Sequence, residues 1–126
     1  MSYYSNIRTN IRIIWYSEVV MKLVKDQKLH IRRLSKIEII NAFKVMGNEY
    51  RMNMLLALKQ SPGLNLDQVN GVVGGEFKNI STHMKKLASS GLVHKKYKGV
   101  YVQHFLTEYG KRAVQSFEEF TKPLSL

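Results

Sequence analysis

A chain of 126 residues with 44% apolar side chains is the size of one domain and can bury a core. Lysine and arginine outnumber aspartate and glutamate by 20 to 9, and the resulting net charge of +11 points to a polyanionic partner, nucleic acid ahead of an anionic membrane. The absence of cysteine excludes disulfides, thiolate metal sites and cysteine nucleophiles, and fits a reducing cytosol.

In the first segment Ile7, Ile11, Ile14, Trp15, Val19 and Leu23 recur at helical spacing, which predicts a helix over residues 7–25. Its apolar stretch is broken by Arg12, Ser17, Glu18 and Lys22, so it cannot span a bilayer, and Glu18 also spoils it as a signal peptide. A cytoplasmic protein without a membrane partner is expected. Met21 is a possible alternative start, which would make the first 20 residues functionally minor.

Ser35 and Glu38 have the spacing of a capping box ahead of Ile37, Ile40 and Phe43, and this helix should stop at Gly47. Asn48 caps the next, in which Met52, Leu55, Leu56 and Leu58 alternate with polar residues up to the turn Ser61-Pro62-Gly63. Asn65 and Gln68 repeat the capping-box spacing and open a short helix that ends at Gly74-Gly75. A longer helix follows from about Phe77 to Ser90, stopped by Gly91. The period then changes: Leu92 to Tyr97 and Val100 to Leu106 are rich in β-branched and aromatic residues, with Lys98-Gly99 between them as a two-residue turn. Finally Tyr109, Ala113, Phe117 and Phe120 form one apolar stripe on a helix over about Thr107 to Thr121. The expected fold is mainly α with a small β-hairpin, in the order five helices, hairpin, helix. The core domain would occupy 31–106, flanked by a helical arm over 1–30 and a C-terminal helix over 107–126.

The helix around Lys78 to Ser90 carries the chemistry. At about 100° per residue, Ile80, Met84 and Leu87 fall on one side, while Lys78, Thr82, Lys85 and Ser89 fall opposite, with Asn79 and Lys86 on one flank and Ser81 on the other. The outer face is therefore basic, amide and hydroxyl, with no acid between Lys78 and Ser90. B-DNA can use those groups: its major groove admits one helix, lysine donates to guanine, asparagine pairs with adenine and hydroxyls serve either. Two or three lysines also suit an ordinary solvated face. Likewise Lys95, Lys96 and Lys98, gathered at the hairpin tip, would serve equally to blunt an exposed strand edge. Together, however, a polar basic helix, a short capped helix before it and a lysine-tipped hairpin are the parts of a winged helix-turn-helix, with helix in groove and wing on phosphate.

Asn79 to Val93, NISTHMKKLASSGLV, resembles the recognition-helix stretch of the ArsR-like transcription regulators, T-V-S-H-H-L-x-x-L-x-x-A-G-L-V. Upstream, Met46 to Leu55 is similar to that family's L-x-x-P-T-R-L-x-I-L, and downstream Lys98 to Thr107 follows its G-R-x-x-Y-Y-x-L. The likeness spans residues 37–112, and the multiple-antibiotic-resistance repressors share much of this outline. It implies a homodimeric regulator that binds double-stranded DNA. Asn65 and Asp67 stand where metal-sensing members place a cysteine pair, so no metal and no cofactor are expected. Glu76 replaces the small hydroxyl cap usual before the recognition helix.

Three histidines have rival readings. His83 borders the core stripe and is assigned a packed position in preference to a base contact, whereas His94 and His104 could pair across the hairpin but lack a third ligand for a metal. The apolar helices over 7–25 and 107–121 suit a homodimer, or else cover the core of a monomer. No nucleophile motif or phosphate-binding glycine loop is present, so a binding protein is expected and not an enzyme. The leading function is a sequence-specific DNA-binding transcription regulator, a repressor that occludes a promoter. Its DNA-contacting residues would be Lys78, Asn79, Ser81, Thr82, Lys85, Lys86, Lys95, Lys96 and Lys98. The alternatives are a non-specific, chromatin-like architectural protein and a winged-helix protein-interaction module. No residue pattern identifies a small-molecule effector.

Overall fold

A computed structural model of the chain describes residues 32–125. The arm over 1–30, with its expected helix at 7–25, lies outside the described residues. From Ser35 onward the chain forms one unit of five helices and one hairpin. These are α1 (Lys36–Met46), α2 (Glu49–Gln60), α3 (Leu66–Val73), α4 (Phe77–Ser89), β1 (Val93–Lys98), β2 (Tyr101–Leu106) and α5 (Glu108–Phe120).

Local chemistry sets the helix starts. The Ser35 hydroxyl accepts from the Glu38 amide at 3.2 Å while the Glu38 carboxylate accepts from the Ser35 amide at 2.8 Å. Asn48 caps α2 by accepting from the Arg51 amide at 3.1 Å. Asn65 and Gln68 exchange the same reciprocal pair of bonds at 2.8 and 2.9 Å. Gly74 (φ +70°) and Gly75 (φ +153°) then turn the chain, a path that side chains rarely permit, so α3 and α4 meet across a tight corner.

Burial explains the order of the layers. Helix α2 is buried on several sides through Met52, Met54, Leu55, Ala57 and Leu58, and is the central element. Ile80, Met84 and Leu87 of α4, Val69 of α3, Leu92 and Val114 of α5 close around it, all essentially without solvent contact. Each such side chain is worth about 1.5–3 kcal/mol of burial. The stripe on α4 is thus the expected one, whereas α5 turns inward with Gly110, Ala113 and Val114 and leaves Phe120 exposed.

The hairpin differs from expectation in its register. Lys98 pairs with Tyr101, so the two-residue turn is Gly99-Val100 (Gly99 at φ +62°) and Lys98 is the last strand residue. Pairing, and not the local appeal of Lys-Gly, selects the turn. His94 faces Phe105 and Lys95 faces His104, so the two histidines lie on opposite faces and do not pair. His94 stacks on Phe105 with ring centroids 5.4 Å apart. The His104 ring is buried, and its Nδ1 donates to the Leu64 carbonyl at 2.9 Å. Backbone bonds from Gly63 to His104 and from His104 to Leu64 tie the loop before α3 to β2, which anchors the hairpin base. Thr107 caps α5, and its hydroxyl also donates to the Gly91 carbonyl at 2.6 Å, which joins the end of α4, the hairpin and α5 at one point.

Candidate nucleic-acid interface

Helix α4 presents a sharply divided surface. Opposite its buried side, Lys78, Asn79, Thr82, Lys85 and Lys86 are exposed and Ser81 is half-buried at the flank. Six of the nine residues expected at the interface therefore share one helix. Two of their polar groups are already held: Asn79 Nδ2 donates to the Glu76 carboxylate at 3.4 Å, and the Thr82 hydroxyl donates to the Lys78 carbonyl at 3.0 Å. Glu76 makes no side-chain bond to the backbone at the N-terminus of α4, and turns instead toward Asn79. Its negative charge there still suits the helix dipole.

Below this face, an arrangement absent from the sequence reading fixes the helix to α2. The Arg51 guanidinium donates through Nε to the Val45 carbonyl at the end of α1 and through Nη1 to His83 Nδ1 at 3.1 Å. Because guanidinium can only donate, Nδ1 must accept, and the imidazole is the neutral Nε2–H tautomer. Burial, then the Arg51 and Lys86 charges, hold its pKa below the usual histidine range. Tyr50 stacks on the same ring, with centroids 5.7 Å apart and planes within 10°. A side chain at Gly75 would meet the Tyr50 ring at 3.2 Å, so this corner requires glycine for close approach as well as for its φ. His83 is thus a packed, half-buried residue, as expected.

The wing holds the other three expected residues, and strand alternation separates them. Lys96 and Lys98 share one face with Gln103 and Tyr101, while Lys95 lies on the other beside His104. All three are exposed. The lysines therefore do not form a single patch; they flank the tip on both sides. Between them the structure exposes Tyr97 (75%), Val100 (91%) and Tyr101 (63%), residues that β propensity alone marks only as strand formers. Phe77, at the first turn of α4 beside Lys78, is also half exposed. The signal that could have found the wing residues is the interleaving of lysine with aromatic residues from 95 to 101.

Among the described residues no group of three histidine, cysteine or acidic side chains could hold a metal ion, and no helix is long and apolar enough to cross a membrane.

The sequence matches no family model and no curated protein. Solved structures do match. HlyU from Vibrio cholerae superposes with a TM-score of 0.62 at 20% identity, over 70% of this chain and 98% of that one. NolR from Sinorhizobium fredii gives 0.61 at 16% identity, over 72% and 97%. The homodimeric winged helix-turn-helix DNA-binding domain of Mb0332 from Mycobacterium bovis, a possible ArsR-family regulator, gives 0.60 at 18%, over 71% and 89%. The chain shares the winged helix-turn-helix fold of these structures, mainly α with a β-hairpin wing.

Proposed function

We propose that this winged helix-turn-helix protein is a sequence-specific transcription regulator of double-stranded DNA, a repressor acting by promoter occlusion, with α4 in the major groove and the wing on the backbone. The observation that carries this reading is the outer face of α4, where lysine, asparagine and threonine stand exposed over a fully buried apolar side. A helix held so firmly can offer donors to base edges at fixed positions, which is what direct readout needs. Asn79 and Thr82, with Lys78, Lys85, Lys86 and Ser81 beside them, read bases and adjacent phosphates. Lys95, Lys96 and Lys98 fix the protein on the backbone and carry no sequence information.

A homodimer is part of the proposal, because two recognition helices about one DNA turn apart match a pseudo-palindromic site. Support comes from an apolar face on α1 and α5. Ile37 (79%), Phe43 (54%) and Phe120 (83%) are exposed, and Phe43, Met46, Met52, Phe117 and Phe120 line a groove of about 450 Å³ between those helices. Among the matched structures, the winged helix-turn-helix domain of Mb0332 is homodimeric. The role is binding without chemistry, and a cytoplasmic location follows from that role.

Selection of bound duplexes from a random pool, followed by a footprint, tests the reading. One protected, enriched site is expected, bound about a thousandfold or more tighter than random DNA at physiological salt. Uniform coverage with no enrichment would favour the architectural alternative, and loss of all salt-dependent DNA retention would favour a protein-interaction module.

A further inference from the structure

Helix α5 has two outward faces, and the proposed dimer uses only one. Ser116, Phe117 and Phe120 line the groove against α1. Lys111, Gln115 and Glu118, spaced i, i+4 and i+7, share the opposite face and line a second cavity, of about 600 Å³, between α5, the end of α2 and the base of the hairpin. None of its lining residues belongs to the dimer groove or to the nine proposed DNA contacts. Its volume is in the range of small-molecule sites.

The lining divides into an apolar floor and a charged rim. Buried Leu58 and Leu106 form the floor, with Pro62 and Phe105 beside them. The Phe105 ring is stacked with His94 across the two strands, centroids 5.4 Å apart and planes within 17°, so this wall is flat and suits a flat ligand. At the rim Lys59 donates to the Glu118 carboxylate, which joins α2 to α5 and cancels both charges. Lys111, on the same rim, makes no ion pair among the described residues. One positive charge is therefore left over, and the Gln115 amide beside it can donate as well.

We propose that this cavity binds a small planar aromatic carboxylate, with its ring against Phe105 and His94 over the apolar floor and its carboxylate at Lys111 and Gln115. A single uncompensated lysine matches a monoanion. A phosphate group, with about −1.5 to −2 charges, would bring more charge than Lys111 balances and would leave the floor uncovered. An uncharged aromatic molecule would cover the floor but gain nothing from the lysine. The proposal stands on the cavity alone and holds whether or not α4 reads DNA.

Titration of the isotope-labelled full chain with naphthoate, followed by amide NMR shifts, tests it. Naphthamide, which has the same ring without the charge, and acetate, which has the charge without the ring, are the comparisons. Naphthoate should bind with a Kd of about 1 mM or tighter, and both comparison molecules about fivefold or more weakly. The shifts should centre on Lys59, His94, Phe105, Lys111 and Gln115. Lys111→Gln, at an exposed position, should fold normally and bring naphthoate down to the affinity of naphthamide, whereas Lys111→Arg should retain the preference. Shifts centred on Phe43 and Phe120 would assign the ligand to the dimer groove and overturn the proposal. Equal affinity for naphthoate and naphthamide also overturns it, as does a preference that survives in Lys111→Gln or is lost in Lys111→Arg.

Discussion

Helix α4 and the hairpin that follows it carry three lysines each, yet the fold holds the two sets differently. On α4, Lys78, Lys85 and Lys86 ride on a helix whose other side, Ile80, Met84 and Leu87, is sealed in the core and whose His83 is bonded to Arg51. On the wing only the base is fixed, by Val93, His104 and Leu106, and every residue from His94 to Tyr101 is exposed. A polar group on the first surface has a defined position. A charge on the second has reach but little register. The same residue type is therefore suited to base readout in one place and to phosphate contact in the other.

That difference can be broken from the core side with the largest effect. Leu87→Ala, at a site with no solvent contact, should destabilise the protein by about 2–5 kcal/mol in denaturant unfolding and take DNA binding with it. Substitutions at Val100 should leave the unfolding midpoint within about 0.5 kcal/mol of the parent. A comparable loss from both would mean that the wing is not the separately anchored element described above.

Gly110→Ala comes next. A side chain there would overlap the Leu92 carbonyl oxygen, at the junction of α4, the hairpin and α5, so about 1–3 kcal/mol of strain is expected. Thermal unfolding should show it as a lower midpoint, and an unshifted midpoint would mean that α5 is free to move away.

Acid should loosen both regions through one histidine each. Burial is the main cause that lowers the pKa of His104, opposed by its bond to Leu64, and burial followed by the Arg51 charge lowers that of His83. Both rings thus bind protons less readily folded than unfolded. Their neutral-form stability is complete above the unfolded value of about 6.5, and is lost as pH falls through that value toward the folded pKa. Unfolding free energy should decline between about pH 7 and pH 5, and His104→Gln should flatten the decline. A flat profile in the parent would contradict the buried, neutral assignment.

The smallest expected effect on stability, and a clean one on binding, belongs to Lys98→Ala. Its affinity should fall on all sequences alike, with the slope of log K against log salt reduced by about one.

How much of this was legible in the sequence depended on the range of the interaction. The capping boxes at Ser35/Glu38 and Asn65/Gln68 are three-residue patterns, so they could be read directly and are formed. The apolar stripe of α4 obeys the helical period and emerged correctly. The hairpin turn slipped by one residue because Lys98-Gly99 is a good local turn, while the pairing of Lys98 with Tyr101 depends on the whole ladder. For the same reason His94 and His104 do not pair, since the ladder sets them on opposite faces. The Arg51–His83 bond joins residues 32 positions apart, and the close approach of Gly110 to Leu92 joins two elements. Neither leaves a local trace. Tyr97, Val100 and Tyr101 are plain in the sequence, but β propensity accounts for them there, and only the structure shows their exposure.

The division of labour between helix and wing is tested most directly by one ratio, the affinity for the selected duplex over that for random duplex at physiological salt. It should be measured for the parent, Asn79→Ala and Lys98→Ala. The account predicts that Asn79→Ala lowers the ratio by about tenfold, since a lost base contact is worth about 1–3 kcal/mol of discrimination. Lys98→Ala should weaken both affinities and leave the ratio near the parent value. A ratio that falls with Lys98→Ala and holds with Asn79→Ala would contradict it.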